Sequence, residues 1–183
     1  MPRTINLPGL YGSDEAHWQS RWEAADPTIT RFAPASWTEP RLEDWIAALD
    51  RAIDAAGEPP VLVAHSLACL LVPIWAARRP RPVRAVVLVA VPDPDGPLYP
   101  DVAAEFRPLP AGRLPFPALV IGSDDDPYGS AGHARARAAE WQAAYVGMGR
   151  LGHINNDSGL GDWPAGRAVV EAFVAGLTQA ARF

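Results

Sequence analysis

Lysine is absent from this chain of 183 residues, and all sixteen of its lysine-or-arginine positions are arginine. Without a lysine side chain, Schiff-base chemistry, a pyridoxal-phosphate anchor, a Ser-Lys dyad and the lysine of a phosphate-binding loop are excluded. The arginines are dispersed along a chain of net charge -5, so there is no basic stripe. Nucleic-acid binding is therefore not expected.

Cysteine and long apolar runs are also scarce. Cys69 is the single cysteine, so no internal disulfide can form, and its place on the apolar side of a predicted helix favours a core thiol. No segment approaches the roughly 20 apolar residues of a membrane span. The first residues do not combine a basic segment with a long apolar one, as a secretory leader would. We therefore expect a soluble, cytoplasmic protein with no membrane association.

What the chain does contain is an alternation of short apolar runs with segments of helical spacing. Strands are predicted at 4–7, 28–32, 61–64, 85–91, 118–121 and 145–148. Helices are predicted to begin at 13–15 and to cover 40–57, 67–77, 132–144 and 163–177. This alternation implies an α/β fold with a mainly parallel sheet and helices on both faces. Residues 1–183 are expected to form a single domain.

One serine stands where a predicted strand meets the following helix. Val61 to Ala64 is a continuous apolar run, and Ser66 lies directly before the helical segment that begins at Leu67. A strand, a tight turn and a helix can hold a serine hydroxyl exposed in a strained corner, with positive φ, beside the helix N-terminus. Ser66 is therefore the predicted nucleophile, and it needs a base and a group that orients the base.

The predicted base is His153. It follows a short strand and Gly152 in a polar loop, from which an imidazole can reach across the edge of the sheet. The other three histidines are weaker candidates. His17 and His133 fall in or near predicted helices, and the side chain of His65, next to the nucleophile, is expected to point elsewhere.

Three consecutive carboxylates follow the strand at 118–121, and only one of them can face the histidine. Asp126, directly before Pro127, is the first choice for the orienting acid, Asp125 is the second, and Asp124 is expected to cap the turn. A divalent-metal site is a weaker interpretation because no His or Glu cluster at ligand spacing accompanies them. The order Ser, Asp, His is the chain order of α/β-hydrolase triads.

An acyl-transfer site also needs two donors for the developing oxyanion. The backbone N–H groups of Leu67, after the nucleophile, and of Leu10, in the loop after the first strand, are predicted to supply them. The pocket is expected to come from residues 10–13, 92–117 and 155–163, and the predicted substrate-binding residues are Tyr11, His65, Asn155 and Trp163.

Residues 92–117 contain eight prolines and form a long irregular connection after a predicted strand. Because loops that follow parallel strands lie at the carboxyl edge of the sheet, this segment should lie beside the ligand. A short helix is predicted near Val102 to Phe106.

The chain resembles the small serine hydrolases of the retinoblastoma-binding protein 9 and YdeN type, from Leu7 to about Phe173. The resemblance rests on Leu7-Pro-Gly9, His17-Trp18, Trp22, Ala64-His-Ser66, Gly122-Ser-Asp-Asp-Asp-Pro127, Gly152-His-Ile-Asn155, Ser158-Gly-Leu-Gly161 and Trp163-Pro164. It implies a single-domain α/β-hydrolase fold with a minimal lid or none. It also implies a Ser66, Asp126 and His153 triad that cleaves a small ester, thioester or amide through an acyl-enzyme, with water and without metal or cofactor.

The chain departs from the usual pattern beside the nucleophile, where Ala64 and Ala68 replace the glycines found there. Alanine is small enough for the helix and strand to approach each other. An alternative function is a hydrolase-fold protein that binds a protein partner with little or no turnover. Exposed tryptophans would favour that function, and Trp37 and Trp163 are the residues to inspect.

Overall fold

Six parallel strands and five α-helices alternate along the computed structural model, which describes residues 2–78 and 81–180, without the side chains of 178–180. The strands are Thr4–Leu7 (β1), Ile29–Arg31 (β2), Val61–His65 (β3), Ala85–Val89 (β4), Ala118–Gly122 (β5) and Ala144–Gly147 (β6). The helices are Trp18–Ala25 (α1), Leu42–Ala56 (α2), Ala68–Arg78 (α3), Ala131–Trp141 (α4) and Pro164–Ala180 (α5). The predicted α/β class is confirmed; residues 1, 79–80 and 181–183 of the predicted domain lie outside the described residues.

The strands lie in the order β2-β1-β3-β4-β5-β6, so the connections after β1 and after β3 run to opposite sides. Ligands bind at such a switch point, beyond the carboxyl ends of the strands. Successive β3 residues face two different cores: Leu62 contributes to one and Val63 to the other. The first core is completed by α2, α3 and α4, and the second by α1 and α5. Helices therefore cover both faces, which explains why β3 has no polar side.

The helix predicted at 40–57 is confirmed as α2, because its apolar positions recur at helical spacing and turn toward the sheet. Trp45, Ile46 and Leu49 are each buried to at least 99%, and burying one such side chain contributes about 1.5–3 kcal/mol. The helix ends at Gly57, whose φ of 73° is the left-handed conformation that glycine adopts at a helix C-terminus.

The predicted start of the first helix and the predicted end of the fourth are wrong. The first helix begins at Trp18 instead of 13–15, because the Asp14 carboxylate accepts the N–H groups of Ala16 and His17 and so forms a turn. Ala144, predicted at the end of a helix, belongs to β6, since Gln142 adopts a left-handed conformation and ends α4. The short helix predicted in the proline-rich segment is present as a 3₁₀ turn at Asp101–Phe106.

Cys69 is fully buried, and burial raises the pKa of its thiol well above the ordinary value, as expected for a core thiol. Trp163 is 3% exposed and Trp37 is half-buried against the first core. The exposed tryptophans that would have favoured protein binding are therefore not found at these two positions. Within the described ranges, no helix combines the length and apolar character that crossing a membrane requires.

Candidate active site

Ser66 occupies a sharp turn between β3 and α3. Its φ is 53° and therefore positive, as predicted; a non-glycine residue adopts such a conformation only under strain. Its N–H donates to the carbonyl of Val89 (3.0 Å), at the end of β4. Ala64 and Ala68 on either side are fully buried, so the turn is enclosed by packed strand and helix while the serine itself is partly exposed.

Gly9 lets the loop after β1 lie against this turn. A Cβ at Gly9 would be 2.8 Å from Ser66 Cβ and 3.2 Å from Leu67 N, so any side chain there would collide with the nucleophile. Tyr11 N–H donates to Trp37 O and Gly12 N–H to Gly9 O. Among the residues that the structure describes, neither Leu10 N–H nor Leu67 N–H has an acceptor. Both residues line the cavity beside Ser66, so two backbone donors remain available there.

Hydrogen bonds connect Asp126, His153 and Ser66 in series. His153 Nδ1 lies 2.8 Å from Asp126 Oδ1 and 2.9 Å from Oδ2, and His153 Nε2 lies 2.8 Å from Ser66 Oγ. Because a carboxylate only accepts, Nδ1 carries the proton and Nε2 accepts the serine hydroxyl. The Asp126 carboxylate is 1% exposed and also accepts the N–H of Tyr128.

The other two aspartates have different surroundings. Asp125 Oδ1 accepts the N–H of Gly152 (2.8 Å) and the hydroxyl of Ser123 (3.0 Å). The Gly152 bond, followed by that from Ser123, lowers the pKa of Asp125. Asp124 is exposed, and its backbone N–H donates to Gly149 O. Asp125 therefore fastens the loop that carries His153, whereas Asp126 contacts the imidazole itself.

His65 supports His153 from the other side. Its Nε2 lies 3.0 Å from His153 O, and because a carbonyl only accepts, this nitrogen carries a proton and donates. Burial, together with the neighbouring His153 and His17, lowers the pKa of His65 well below 6.5. His65 is therefore a neutral imidazole that fixes the backbone of the residue predicted as the base.

A third histidine, His17, lies beside His65, with the ring centroids of the two residues 4.9 Å apart. Its Nδ1 accepts the N–H of Gln19, so the capping bond of α1 also determines the tautomer. Burial lowers the pKa of His17 to about 4, with Arg31 and His153 adding to the effect and Asp14 opposing it. At neutral pH, His153 is thus accompanied by two uncharged imidazoles.

A cavity of about 460 Å³ opens above Ser66. Its lining includes Tyr11, His65 and Asn155, which were predicted to bind substrate, together with Pro92 and residues 98–100 of the proline-rich segment. Three lining residues were missed: Asp14, His17 and Tyr128. The first two fell in a wrongly predicted helix. Tyr128 could have been found from its position two residues after Asp126.

The interpretation of Trp163 as a substrate-binding residue is corrected by the structure. Trp163 is not among the cavity-lining residues of the described chain. It is buried with its ring centroid 5.0 Å from that of Trp18, against Gly166, where a Cβ would lie 2.2 Å from the indole. Trp18 in turn donates its Nε1–H to Ile154 O (2.8 Å), next to His153. These tryptophans support the loop instead of contacting a ligand.

Within the described ranges, no group of three or more His, Cys, Asp or Glu side chains is placed to hold a metal ion. The groups that the structure brings together beside Ser66 are a hydroxyl, an imidazole, a carboxylate and two backbone N–H groups. These are the groups required for nucleophilic acyl transfer.

Comparison with known proteins agrees with this chemistry. A family model described as serine hydrolase matches residues 4–172. No match was found among curated protein sequences. Among solved structures, the chain is similar to a protein described as a YdeN-like hydrolase from Pectobacterium atrosepticum, with 29% identity, a TM-score of 0.85, and coverage of 95% of this chain and 91% of that one.

Two further structures share the fold at lower identity. The ydeN gene product of Bacillus subtilis has 22% identity and a TM-score of 0.77, with 96% of this chain and 100% of that chain covered. Est1E from Butyrivibrio proteoclasticus has 14% identity and a TM-score of 0.69, with 100% and 89% covered. The resemblance to YdeN-type hydrolases expected from the motifs is confirmed, and so is the α/β-hydrolase fold.

Proposed function

This chain belongs to the serine hydrolase family, and we propose that it cleaves a small ester, thioester or amide through an acyl-enzyme formed on Ser66. The observation that carries the proposal is the hydrogen-bonded series Asp126, His153, Ser66, with both bonds of the imidazole near 2.8 Å. A carboxylate, an imidazole and a hydroxyl in this order provide an orienter, a base and a nucleophile.

In the first half-reaction, Ser66 Oγ attacks the carbonyl carbon of the substrate while its proton moves to His153 Nε2. The negative charge that develops on the carbonyl oxygen is stabilised by the N–H groups of Leu10 and Leu67. The tetrahedral intermediate then collapses. The bond to the leaving group breaks, the leaving group takes the proton from His153, and the acyl group remains on Ser66 as an ester.

Water completes the reaction by the same route. His153 removes a proton from a water molecule, whose oxygen attacks the acyl carbon. Collapse of the second intermediate returns the proton to Ser66 and releases a carboxylic acid. Asp126 remains a carboxylate throughout, because its role is to hold the Nδ1–H tautomer and to stabilise the imidazolium. No step requires a metal or a cofactor.

A fluorophosphonate probe, which reacts with activated serine hydroxyls, tests the proposal. We expect the folded protein to be labelled at Ser66, heat-denatured protein to be unlabelled, and Ser66→Ala to be unlabelled and inactive toward p-nitrophenyl esters of short acids. The proposal is wrong if the folded protein is not labelled, or if Ser66→Ala is labelled equally well. The cytoplasmic location inferred from the sequence remains a prediction, which fractionation of the native host would test.

A further inference from the structure

The exposed apolar side chains of this protein gather at the mouth of the cavity. Of the described residues, four large apolar side chains are markedly exposed: Tyr11 (72%), Leu98 (54%), Val102 (43%) and Tyr128 (41%). All except Val102 line the cavity above Ser66. Exposed apolar surface concentrated at one place marks a site where an apolar group binds. The ring of Tyr128 is also 4.5 Å from that of His153, which brings this surface to the reacting atoms.

The charges around the cavity are of one sign. Two exposed carboxylates, Asp14 and Asp157, line it, whereas no arginine of the described ranges does so. Asn156 donates to Asp14, and this bond is the main reason why the pKa of Asp14 is lowered, so Asp14 is ionised at neutral pH. Arg107 stacks on Tyr99, 4.2 Å from the ring centroid, but does not itself line the cavity. A negatively charged ligand would thus meet two carboxylates and no arginine among the side chains that line the cavity.

We infer that the substrate is an uncharged, apolar acyl compound, and that Asp14 and Asp157 disfavour acyl compounds that carry negative charge. Nucleotide-bearing thioesters and half-esters of dicarboxylic acids belong to the disfavoured class. The inference rests on the proposed function, because it concerns the compound that Ser66 attacks. It narrows that function from any small ester, thioester or amide to the neutral members of the group.

Matched acyl groups test the inference on the acyl side. p-Nitrophenyl pentanoate, the mono-p-nitrophenyl ester of glutaric acid and p-nitrophenyl 4-(trimethylammonio)butanoate differ only in the terminal group, which is a methyl, a carboxylate or a quaternary ammonium. At low salt we expect kcat/KM for the anionic ester to be about tenfold below that for the neutral one, with the cationic ester less affected. The gap should narrow at about 0.3 M salt, since the carboxylates are exposed and screened.

Variants assign the effect to the two carboxylates. In Asp14→Asn and Asp157→Asn, the anionic-to-neutral ratio of kcat/KM should rise about two- to fivefold each at low salt. Intrinsic differences in ester reactivity cancel in this comparison. Glu15→Gln is the matched control: it removes the same charge from an exposed neighbour that does not line the cavity, and the ratio should stay unchanged. If Asp14→Asn does not fold, the result for Asp157→Asn alone tests the inference. That variant should fold, because no hydrogen bond within the described ranges involves the Asp157 carboxylate.

A thioester pair tests the leaving-group side. Pentanoyl-coenzyme A and the pentanoyl thioester of N-acetylcysteamine share the acyl group and the scissile bond, and only the former carries phosphates. We expect kcat/KM to favour the N-acetylcysteamine thioester by about tenfold or more at low salt.

The apolar surface is tested separately. Leu98→Ala should lower kcat/KM for p-nitrophenyl pentanoate several-fold relative to p-nitrophenyl acetate. Val102→Ala removes a less exposed apolar side chain that does not line the cavity, and it should leave that ratio unaltered. Equal changes in both variants would contradict a binding role for Leu98.

The rate at which the fluorophosphonate labels Ser66, measured in every variant, distinguishes a failure of the proposed function from a failure of the inferred charge preference. An unlabelled wild-type protein contradicts the proposed function. If the wild-type protein is labelled but hydrolyses anionic and neutral esters equally, the inference about charge is wrong and the proposed function is unaffected. The same holds if the anionic-to-neutral ratio of kcat/KM in Asp14→Asn and in Asp157→Asn does not differ from that of the wild-type protein. An ester that is not hydrolysed can still bind and slow the labelling of Ser66. The concentrations of anionic and neutral ester that halve the labelling rate then replace kcat/KM in the comparison.

Discussion

Ser66 and His153 are held in place by different forces. The serine turn lies between β3 and α3, whose residues are almost completely buried, and Gly9 closes it from the loop after β1. His153 lies in an irregular segment, residues 149–158, here called the histidine loop. Hydrogen bonds from Trp18 and His65 to its carbonyls, and from its amides to Asp125 and Ser123, fix that loop.

Close packing positions Ser66, whereas individual hydrogen bonds position His153. A close-packed turn cannot shift without creating overlaps or cavities, so changes there should cost stability as well as activity. A loop held by individual hydrogen bonds can move by a fraction of an ångström while the core stays intact. Changes there should lower turnover more than stability, since misplacement by about 1 Å can cost about 10²-fold in rate.

The largest effect is expected at the residue that orients the imidazole. Asp126→Asn preserves the shape of the side chain but allows the other tautomer of His153, in which Nε2 carries the proton and cannot accept from Ser66. We expect kcat to fall by about 10⁴-fold, as it does for the corresponding change in serine proteases. Hydrolysis of p-nitrophenyl butyrate measures it. Retention of more than a tenth of the activity would contradict the assigned role.

Gly9→Ala tests the packed side. Its Cβ would lie 2.8 Å from Ser66 Cβ, so the loop or the turn must move. We expect a loss of about 1–3 kcal/mol in the free energy of unfolding, as for other overpacked sites, together with loss of fluorophosphonate labelling. Gly176→Ala is the control, because a Cβ there meets nothing within 4 Å. If Gly9→Ala is as stable and as reactive as Gly176→Ala, close packing at Gly9 does not position Ser66.

Substitutions at His65, which positions His153, test the role of hydrogen bonds in the histidine loop. His65→Leu removes the donor to His153 O, whereas His65→Gln retains a side-chain N–H at a similar reach. We expect kcat to fall about 10–100-fold in the leucine variant with little change in KM, and most of the loss to be restored in the glutamine variant. Similar kcat values for both variants would show that the hydrogen bond has no positioning role.

The last prediction concerns the pH dependence of stability, which leaves turnover at neutral pH unchanged. The pKa of His17 is lowered to about 4 by burial, so between that value and its unfolded value of about 6.5 the unfolded chain binds more protons. Stability should therefore rise with pH across this window, and His17 alone should account for about 3 kcal/mol of the loss between pH 7 and pH 4.

His17→Asn can retain the capping acceptor for Gln19 N–H and removes the titrating ring. We expect its free energy of unfolding, measured by urea titration, to depend less on pH between 4 and 6.5 than that of the wild-type protein. A pH dependence equal to that of the wild-type protein would contradict the assignment to His17.

Local sequence patterns were sufficient to predict much of the fold. The continuous apolar run at β3 and the helical spacing in α2 each report on one element, and both elements lie where predicted. The wrong boundary at α1 has a local cause as well: Asp14 was treated as a helix-starting residue, but it accepts the N–H groups of Ala16 and His17 in a turn that precedes the helix.

Other features depend on contacts between distant parts of the chain. Trp163 was predicted to bind substrate but lies in the second core with Trp18 and Trp22, an arrangement that no periodicity reveals. Tyr128 lines the cavity because the segment that follows β5 lies against the segment that follows β4, where Asp93 N–H donates to Tyr128 O. Side-chain directions in irregular segments follow from such long-range bonds, so residue types alone could not predict them.

Three features followed from the amino-acid sequence alone: the alternation of strands and helices, the serine at a strand–helix junction, and the order in which its expected partners follow. These depend on backbone periods of two and 3.6 residues and on turn chemistry, which are local. Three other features became known from the three-dimensional contacts: the bond of Asp126 to His153, the bond of His65 to the His153 carbonyl, and the side chains that surround the cavity. Those outcomes depend on the approach of loops at the carboxyl edge of the sheet, and that approach is determined by the packing of the whole molecule.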